Sequence, residues 1–398
     1  MMIYFDNSAT TKPSTACIDA MTQVLTTEWG NPSSRHAMGL SAHTVLKTAR
    51  DQLFSALGVR AAERSQENLI FTASGTEADN LAILGAAHAK KALAGKKLIT
   101  SNAEHPAVLR PFAALETEGF RTAYISTKNG IFDMEQFRRE MTPDTFLVSV
   151  MLVNNETGAV NDIRAISDYA KQINPECIIH TDAVQGFLKR PFSPQTLGAD
   201  LVTVSAHKIH GPKGVGALYI APHLIKRKAL SPVIFGGGQE FGFRSGTENL
   251  PGIAGFGAAV VEGQASLSAD IAHMTALRTY LEDAITHAGR DDVLSSVTIN
   301  RPLSDERAPH ILSIRLPKIK SETMLNYLSG KGIAVSSGSA CAAQSGRISN
   351  ALLCFGLSDS DADTTIRISL SSDNTEKEAD SFLDALRCGI RMLARMKR

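Results

Sequence analysis

Short runs of apolar and β-branched residues alternate with longer stretches of helical period along the first two thirds of the chain. Residues 68–72 precede a helical stretch over 76–94, and 97–100 precede a helix opening at His105-Pro106. Runs over 145–153, 177–181, 200–205 and 215–220 continue the pattern, with a helix over 163–173 among them. Several of these runs are continuously apolar, which suits strands buried on both faces. Strands that alternate with helices are joined by crossovers. The expected fold class is therefore α/β, with a large, mostly parallel sheet covered by helices on both sides. Pro106 supports its helix start, because the N–H that proline lacks has no intrahelical acceptor in a first turn.

After residue 250 the order changes. A long helical stretch over 251–289 is followed by strands over 297–300 and 310–316, a helix over 321–328, a strand over 364–370 and a closing helix to Arg398. This predicts a smaller C-terminal α+β domain. The division falls at 16–260 for the large domain and 261–398 for the small one, with residues 1–15 packing on the small domain and the long helix bridging both. A length of 398 residues is ample for two cores.

Charge excludes some functions. With 41 basic against 40 acidic side chains and signs interspersed, no clustered field is present to bind phosphate backbones, so direct nucleic-acid binding is not expected. No basic leader runs into an apolar segment, and no apolar run reaches the ~18 residues a membrane span needs, so no membrane association is expected. The five cysteines, Cys17, Cys177, Cys341, Cys354 and Cys388, are scattered without a C-x-x-C pair. That spacing suits reduced thiols in a cytoplasmic protein.

Three strand ends carry residues with chemical potential. Ser205-Ala206-His207-Lys208-Ile209-His210-Gly211-Pro212-Lys213-Gly214-Val215-Gly216 follows a predicted strand. A lysine there suits a nucleophilic amine whose pKa is lowered by burial, although S-x-H-K alone reads equally as a surface loop. His207 and His210 lack a neighbouring third ligand, so no metal site is expected. His180-Thr181-Asp182-Ala183-Val184-Gln185 places a carboxylate and an amide outside another strand end, where α/β sheets bind ligands, or where an aspartate simply caps a turn. Thr72-Ala73-Ser74-Gly75-Thr76-Glu77 runs from strand into helix, and its backbone N–H groups could cradle a phosphate, as those of any helix start could. Together the three supply a phosphate cradle, a carboxylate for a protonated pyridine nitrogen and an amine for an aldehyde. Those are the parts that pyridoxal 5′-phosphate takes from a protein.

The order Gly75-Thr76, Asp182, Lys208 resembles fold type I pyridoxal-phosphate-dependent transferases. Five further strings narrow the resemblance: Gly30-Asn31-Pro32-Ser33-Ser34, Val153-Asn154-Asn155-Glu156-Thr157-Gly158, the segment 205–216, Arg244-Ser245-Gly246-Thr247-Glu248-Asn249 and Ser336-Ser337-Gly338-Ser339-Ala340-Cys341. They are similar to the cysteine desulfurases of the NifS and IscS group, within the class V aminotransferase-like enzymes. The similarity runs from Tyr4-Phe5-Asp6-Asn7-Ser8-Ala9-Thr10-Thr11 to Thr364-Thr365-Ile366-Arg367-Ile368-Ser369-Leu370.

The resemblance implies a homodimer that converts L-cysteine to L-alanine and leaves sulfane sulfur on Cys341, for delivery to an acceptor protein such as an iron-sulfur scaffold or for thiolation. Lys208 matches the lysine that binds the cofactor and moves the substrate Cα proton. Asp182 matches the pyridine partner, His105 the residue stacked on the ring, and Gln185 the contact to the phenolic oxygen. Gly75, Thr76, Ser205 and His207 match the phosphate site, with Thr247 reaching it from the other subunit. Asn155 and Arg367 match the groups that hold the substrate carboxylate. Cys341 matches the sulfur-accepting thiol, on a Ser-Gly-Ser-Ala stretch suited to a loop, whereas the other four cysteines read as packing residues.

Three departures stand out. The family often has arginine where this chain has Phe241, and often Gly-Arg where it has Ser371-Ser372. The chain also ends at Arg398 without the longer tail by which some relatives dock a scaffold. A selenocysteine lyase would use the same constellation, and turnover of both substrates with and without Cys341 separates the two. A non-catalytic cofactor-binding assembly protein would have lost the lysine or the cysteine.

Overall fold

The computed structural model describes residues 2–89, 96–304, 306–337 and 348–395. Twelve strands are present among these residues. In chain order they are β1 (Ile3–Tyr4), β2 (Leu69–Thr72), β3 (Lys97–Ser101), β4 (Arg121–Ile125), β5 (Thr145–Ser149), β6 (Ile178–Asp182), β7 (Leu201–Ser205), β8 (Gly216–Ile220), β9 (Thr298–Ile299), β10 (Ile311–Arg315), β11 (Ile333–Ala334) and β12 (Thr365–Ser369). Seven of them form one sheet in the order β2-β8-β7-β6-β5-β3-β4. Pairing is parallel from β7 through β6, β5 and β3 to β4, whereas β8 runs antiparallel to both β2 and β7. The reversal at β8 follows from the connection: residues 206–215 are too few for a parallel crossover. Because β2 is antiparallel to β8, it points the same way as β7, and the carboxyl ends of β2, β3, β5, β6 and β7 share one edge.

Both faces of the sheet are covered, which explains the continuously apolar strands. On one face Ile70, Leu98, Leu147, Leu201 and Leu218 pack with helices Gly75–His88 and Pro106–Thr117. On the other, Phe71, Ile99, Val148, Val202 and Tyr219 pack with helices Thr15–Thr26, Ala37–Ala56 and Ile163–Ile173. Helix Leu250–Thr286, of 37 residues, contributes Leu250, Ile253, Phe256 and Val260 to that core, and further along Met274, Leu277, Leu281 and Ile285 to a separate one. The second core lies under the three-stranded antiparallel sheet β12-β10-β9 and includes Phe5 and Phe382. β1 pairs in parallel with β11 beside it. Residues beyond β1 turn to the large core, where the Thr11 N–H donates to the His207 carbonyl (2.8 Å) and the Ser14 N–H to that of His210 (2.9 Å).

Two expected elements end early. The helix expected over 76–94 spans Gly75–His88, and residues 90–95 lie outside the description. The strand expected over 145–153 stops at Ser149. Its backbone continues along β6, with the Val150 and Leu152 N–H groups donating to the His180 and Asp182 carbonyls. Its other partner is lost because β3 ends at Ser101, and there the Glu104 carboxylate takes the Met151 N–H (2.9 Å). No helix among the described residues is long and apolar enough to cross a membrane.

Candidate functional site

The shared carboxyl edge opens into a cleft of about 290 Å³. Ten of the residues singled out in the sequence line it: Gly75, Thr76, His105, Asn155, Asp182, Gln185, Ser205, His207, Lys208 and Arg367. Asp182 is the last residue of β6, Ser205 the last of β7, and Lys208 closes the single helical turn Ala206–Lys208 that follows. Arg367 comes from β12 of the small core. Ile366 and Ile368 are fully buried in that core, so the period of two turns Arg367 to the opposite face, towards the cleft.

The Lys208 ammonium donates to the Ser8 and Ala9 carbonyls at 2.6 and 2.7 Å. Burial, reinforced by the Arg367 charge, pulls its pKa down to about 8. A substantial fraction is therefore neutral amine near physiological pH. Asp182 accepts from the Val184 N–H (2.9 Å), and burial raises its carboxyl above the usual range. His105 caps helix Pro106–Thr117 by accepting from the Ala107 N–H (3.1 Å) while its ring lines the cleft. Burial first and Lys208 second push it down to about 4, leaving the ring neutral. His207 is likewise lowered to about 4, by burial and then Lys208 and Lys213, so it offers a hydrogen bond in place of a charge. Its Nδ1 lies 3.2 Å from the Thr10 hydroxyl.

The Gln185 amide donates to the Ser8 carbonyl (3.0 Å), and its oxygen lies 3.2 Å from His310 Nε2. Arg367 donates to the Asn155 carbonyl (2.8 Å) and to Asp6 (2.9 Å), while its Nε is buried without a partner among the described residues. The guanidinium therefore keeps donors for an anionic ligand.

One end of the cleft suits a phosphate. The first N–H groups of helix Gly75–His88 have no intrahelical acceptor, and Gly75 and Thr76 line the cleft with Ser205, whose Oγ is buried and, among the described residues, unpartnered. Ser74 fixes that helix start by accepting from the Glu77 N–H (3.1 Å). Beneath it lies Gly216 of β8, where a Cβ would sit 2.6 Å from the Ser74 carbonyl carbon. Only a glycine lets the strand approach so closely.

Two residues stand apart. Cys341 lies outside the described residues. Thr247 is exposed and lines a separate, smaller pocket with Arg244 and Glu240. Its loop is tied at two points. Arg244 pairs with Glu77 (2.8 Å), and Glu240 forms a two-pronged pair with Arg50 (2.8 and 2.9 Å), both buried. Glu240 also accepts from the Phe71 N–H (2.8 Å). Phe241, the departure from the family pattern, puts its ring 5.2 Å from the Arg50 guanidinium, which also lies 4.8 Å from the Phe71 ring. At the second departure, the Ser371 N–H donates to Asn374 (2.8 Å), whose amide reaches the Tyr4 carbonyl (3.1 Å).

Sequence reading assigned no role to Asp6, Ser8, Asp79 or Glu104, all of which the structure brings to or beside the cleft. A signal existed for Asp79: it stands four residues after Gly75 and three before Ala82, a carboxylate on the apolar stripe of its helix.

The sequence profile of the family described as aminotransferase class-V matches residues 3–382. A cysteine desulfurase IscS of Anaeromyxobacter dehalogenans is 39% identical over 380 residues, 95% of this chain and 90% of that protein. Among solved structures, a NifS-like protein superposes with a TM-score of 0.89 at 35% identity, covering 99% of this chain and 100% of its own. A structure of SspA in complex with cysteine gives a TM-score of 0.76 at 30% identity, covering 94% and 100% respectively.

Proposed function

The chain belongs to the class-V aminotransferase family, and on that basis we propose that it is a cysteine desulfurase, using pyridoxal 5′-phosphate to convert L-cysteine to L-alanine. The observation that carries this reading is the convergence of Lys208, Asp182 and the Gly75-Thr76 helix start on one cleft. The cofactor fits the donor set. The unpartnered Ser205 hydroxyl, the free N–H groups of the helix start and Thr76 would hold its phosphate, Asp182 its pyridine nitrogen, Gln185 its phenolic oxygen, and Lys208 its aldehyde carbon. Bound there, it supplies an electron sink that acidifies the Cα–H of an amino acid.

The chain's own groups do the rest. Arg367, whose terminal nitrogens carry more N–H groups than the Asn155 carbonyl and Asp6 take up, and Asn155 orient the substrate carboxylate. Lys208, lowered to about 8, accepts the Cα proton as neutral amine and returns it as ammonium. His105, held neutral, packs at the ring position without adding charge. Cys341 takes the sulfur: its thiolate forms the new S–S bond as the Cβ–S bond breaks, leaving a persulfide for an acceptor protein such as an iron-sulfur scaffold. The Cβ gains a proton and leaves as alanine. Exposure of Thr247 outside its own chain's cleft, on a loop braced by two ion pairs, supports a homodimer in which it serves the neighbouring cofactor. The division at 260/261 is proposed as the domain boundary, within helix Leu250–Thr286.

The test is alanine release from L-cysteine in the presence of a reductant, with mass analysis for one added sulfur after cysteine alone. Wild type is expected to carry the sulfur on Cys341, and Cys341→Ser to release no alanine. Cys354, half-buried beside the Asn102 carbonyl with its thiol pKa raised by burial, is expected to stay unmodified. Sulfur on Cys354, or turnover by Cys341→Ser, would refute the assignment.

A further inference from the structure

The face of the sheet under helix Gly75–His88 changes character along the strands. Leu147, Ile178 and Leu201 occupy its amino-terminal side, whereas the same face carries Ser149, His180, Asp182 and Thr203 towards the cleft. Asp182 and Thr203 are direct neighbours across β6 and β7. Asp79 comes down onto this seam from the helix. It is 1% exposed and lines the cleft together with Asp182. Among the described residues its Oδ1 has no hydrogen-bond partner, and it lies 3.5 Å from His180 Nε2. His180 is engaged on both sides, with the Ser149 hydroxyl at 2.8 Å and the Thr203 hydroxyl at 3.1 Å.

The two carboxyls are unequally served. Asp182 accepts a backbone N–H from Val184 and faces the Lys208 charge, both of which favour its anion. At Asp79, burial is the main influence, the Asp182 carboxylate adds to it, Glu104 adds further, and only the Thr203 hydroxyl opposes, so its carboxyl is held well above the ordinary range. His180, the nearest base, is pushed down to about 3 by burial and brings no positive charge. Burial makes either charge costly, and the Asp182 carboxylate raises that cost further at Asp79, so Asp79 is the harder of the two to ionise. We propose that Asp79 is the proton-holding member of a two-carboxyl pair at the floor of the cleft, a positioning residue that reserves the negative charge for Asp182. The inference rests on Asp182 being the cofactor's pyridine partner only for its consequence in catalysis. The location of the proton is a property of the chain alone.

That separation sets the experiment. Apoprotein with aspartate isotope-labelled at its side-chain carboxyl carbon is examined by infrared spectroscopy near neutral pH, so that Glu104 is silent. Wild type should show a protonated aspartate carbonyl band, absent from Asp79→Asn and retained in Asp182→Asn. Asp79→Ser gives the same readout should the amide variant fail to fold. A second measurement excludes a purely steric role. An aspartate whose folded pKa is raised costs stability progressively as pH climbs above its unfolded value. The folding constant of Asp79→Asn should therefore gain on wild type as pH climbs above the unfolded aspartate pKa of about 3.9, by up to about tenfold per pH unit. A gap between the two proteins that does not change with pH, or a band lost only in Asp182→Asn, overturns the proposal. Failure of the wild type to bind pyridoxal 5′-phosphate would instead overturn the functional reading, with the band still locating the proton.

Discussion

Replacing Glu240 with glutamine probes the brace under the Thr247 loop. The Arg50 and Glu240 side chains are each 2% exposed, and their two-pronged contact at 2.8 and 2.9 Å comes with a third bond, from the Phe71 N–H to the same carboxylate. Glutamine keeps the shape and one acceptor oxygen, so the Phe71 N–H can remain satisfied. What disappears is, among the described residues, the only carboxylate bonded to a guanidinium buried between helix Ala37–Ala56, β2 and the loop. Removing one partner of a buried pair costs about 3–5 kcal/mol, because the remaining charge stays desolvated. Urea unfolding at neutral pH, with equal protein concentrations, is the assay. Adding Arg50→Met to Glu240→Gln should recover much of the loss, since no charge is then buried and the glutamine amide can serve both the Phe71 N–H and the Leu69 carbonyl that Arg50 now contacts. A Glu240→Gln penalty below about 0.5 kcal/mol, the range of an ordinary surface change, would refute the reasoning. So would a double variant as unstable as the sum of the singles.

Two more outcomes follow from the cleft. Gly216→Ala should weaken cofactor binding, because its Cβ meets the Ser74 and Gly75 backbone at 2.6 and 2.8 Å and must shift the phosphate-binding helix start; equilibrium titration with pyridoxal 5′-phosphate checks this, and unchanged affinity would count against that helix start as the phosphate site. The rate at which apoprotein captures the cofactor through Lys208 should rise with pH and level off above about pH 8, as the ammonium, lowered to about 8, becomes neutral amine. A profile still rising steeply near the ordinary lysine pKa of about 10.4 would contradict the burial argument.

The chemistry at strand ends was legible because it is local. Asp182 and Lys208 each follow a short apolar run within a residue or three, and the Ser74-Gly75-Thr76 start announces itself by small residues and a cap. Strand direction was not legible, since an apolar pentapeptide such as Gly216–Ile220 has no polarity; only the short connection before it dictates the antiparallel run. Residues 150–153 looked like strand because they are apolar and buried, a property that a chain leaving one side of a ladder shares. Arg50, Asp79 and Glu240 escaped notice for a different reason. Each stands on a separate helix or turn, and only stacking of those elements on the sheet brings them to their partners.

The order of synthesis gives the amino-terminal segment an added meaning. Ser8 and Ala9 supply the carbonyls that hold Lys208, yet the Ser8 backbone is itself fixed by the Ser369 hydroxyl, 361 residues further along the chain, and Ile3 pairs with Ile333. Translation at about 5–20 residues per second separates those partners by tens of seconds. During that interval a nascent chain can complete the large sheet while one wall of the cleft waits for β12 to leave the ribosome. The reactive amine thus reaches its final setting only in the finished polypeptide, so a truncated product could display a folded sheet without an assembled site.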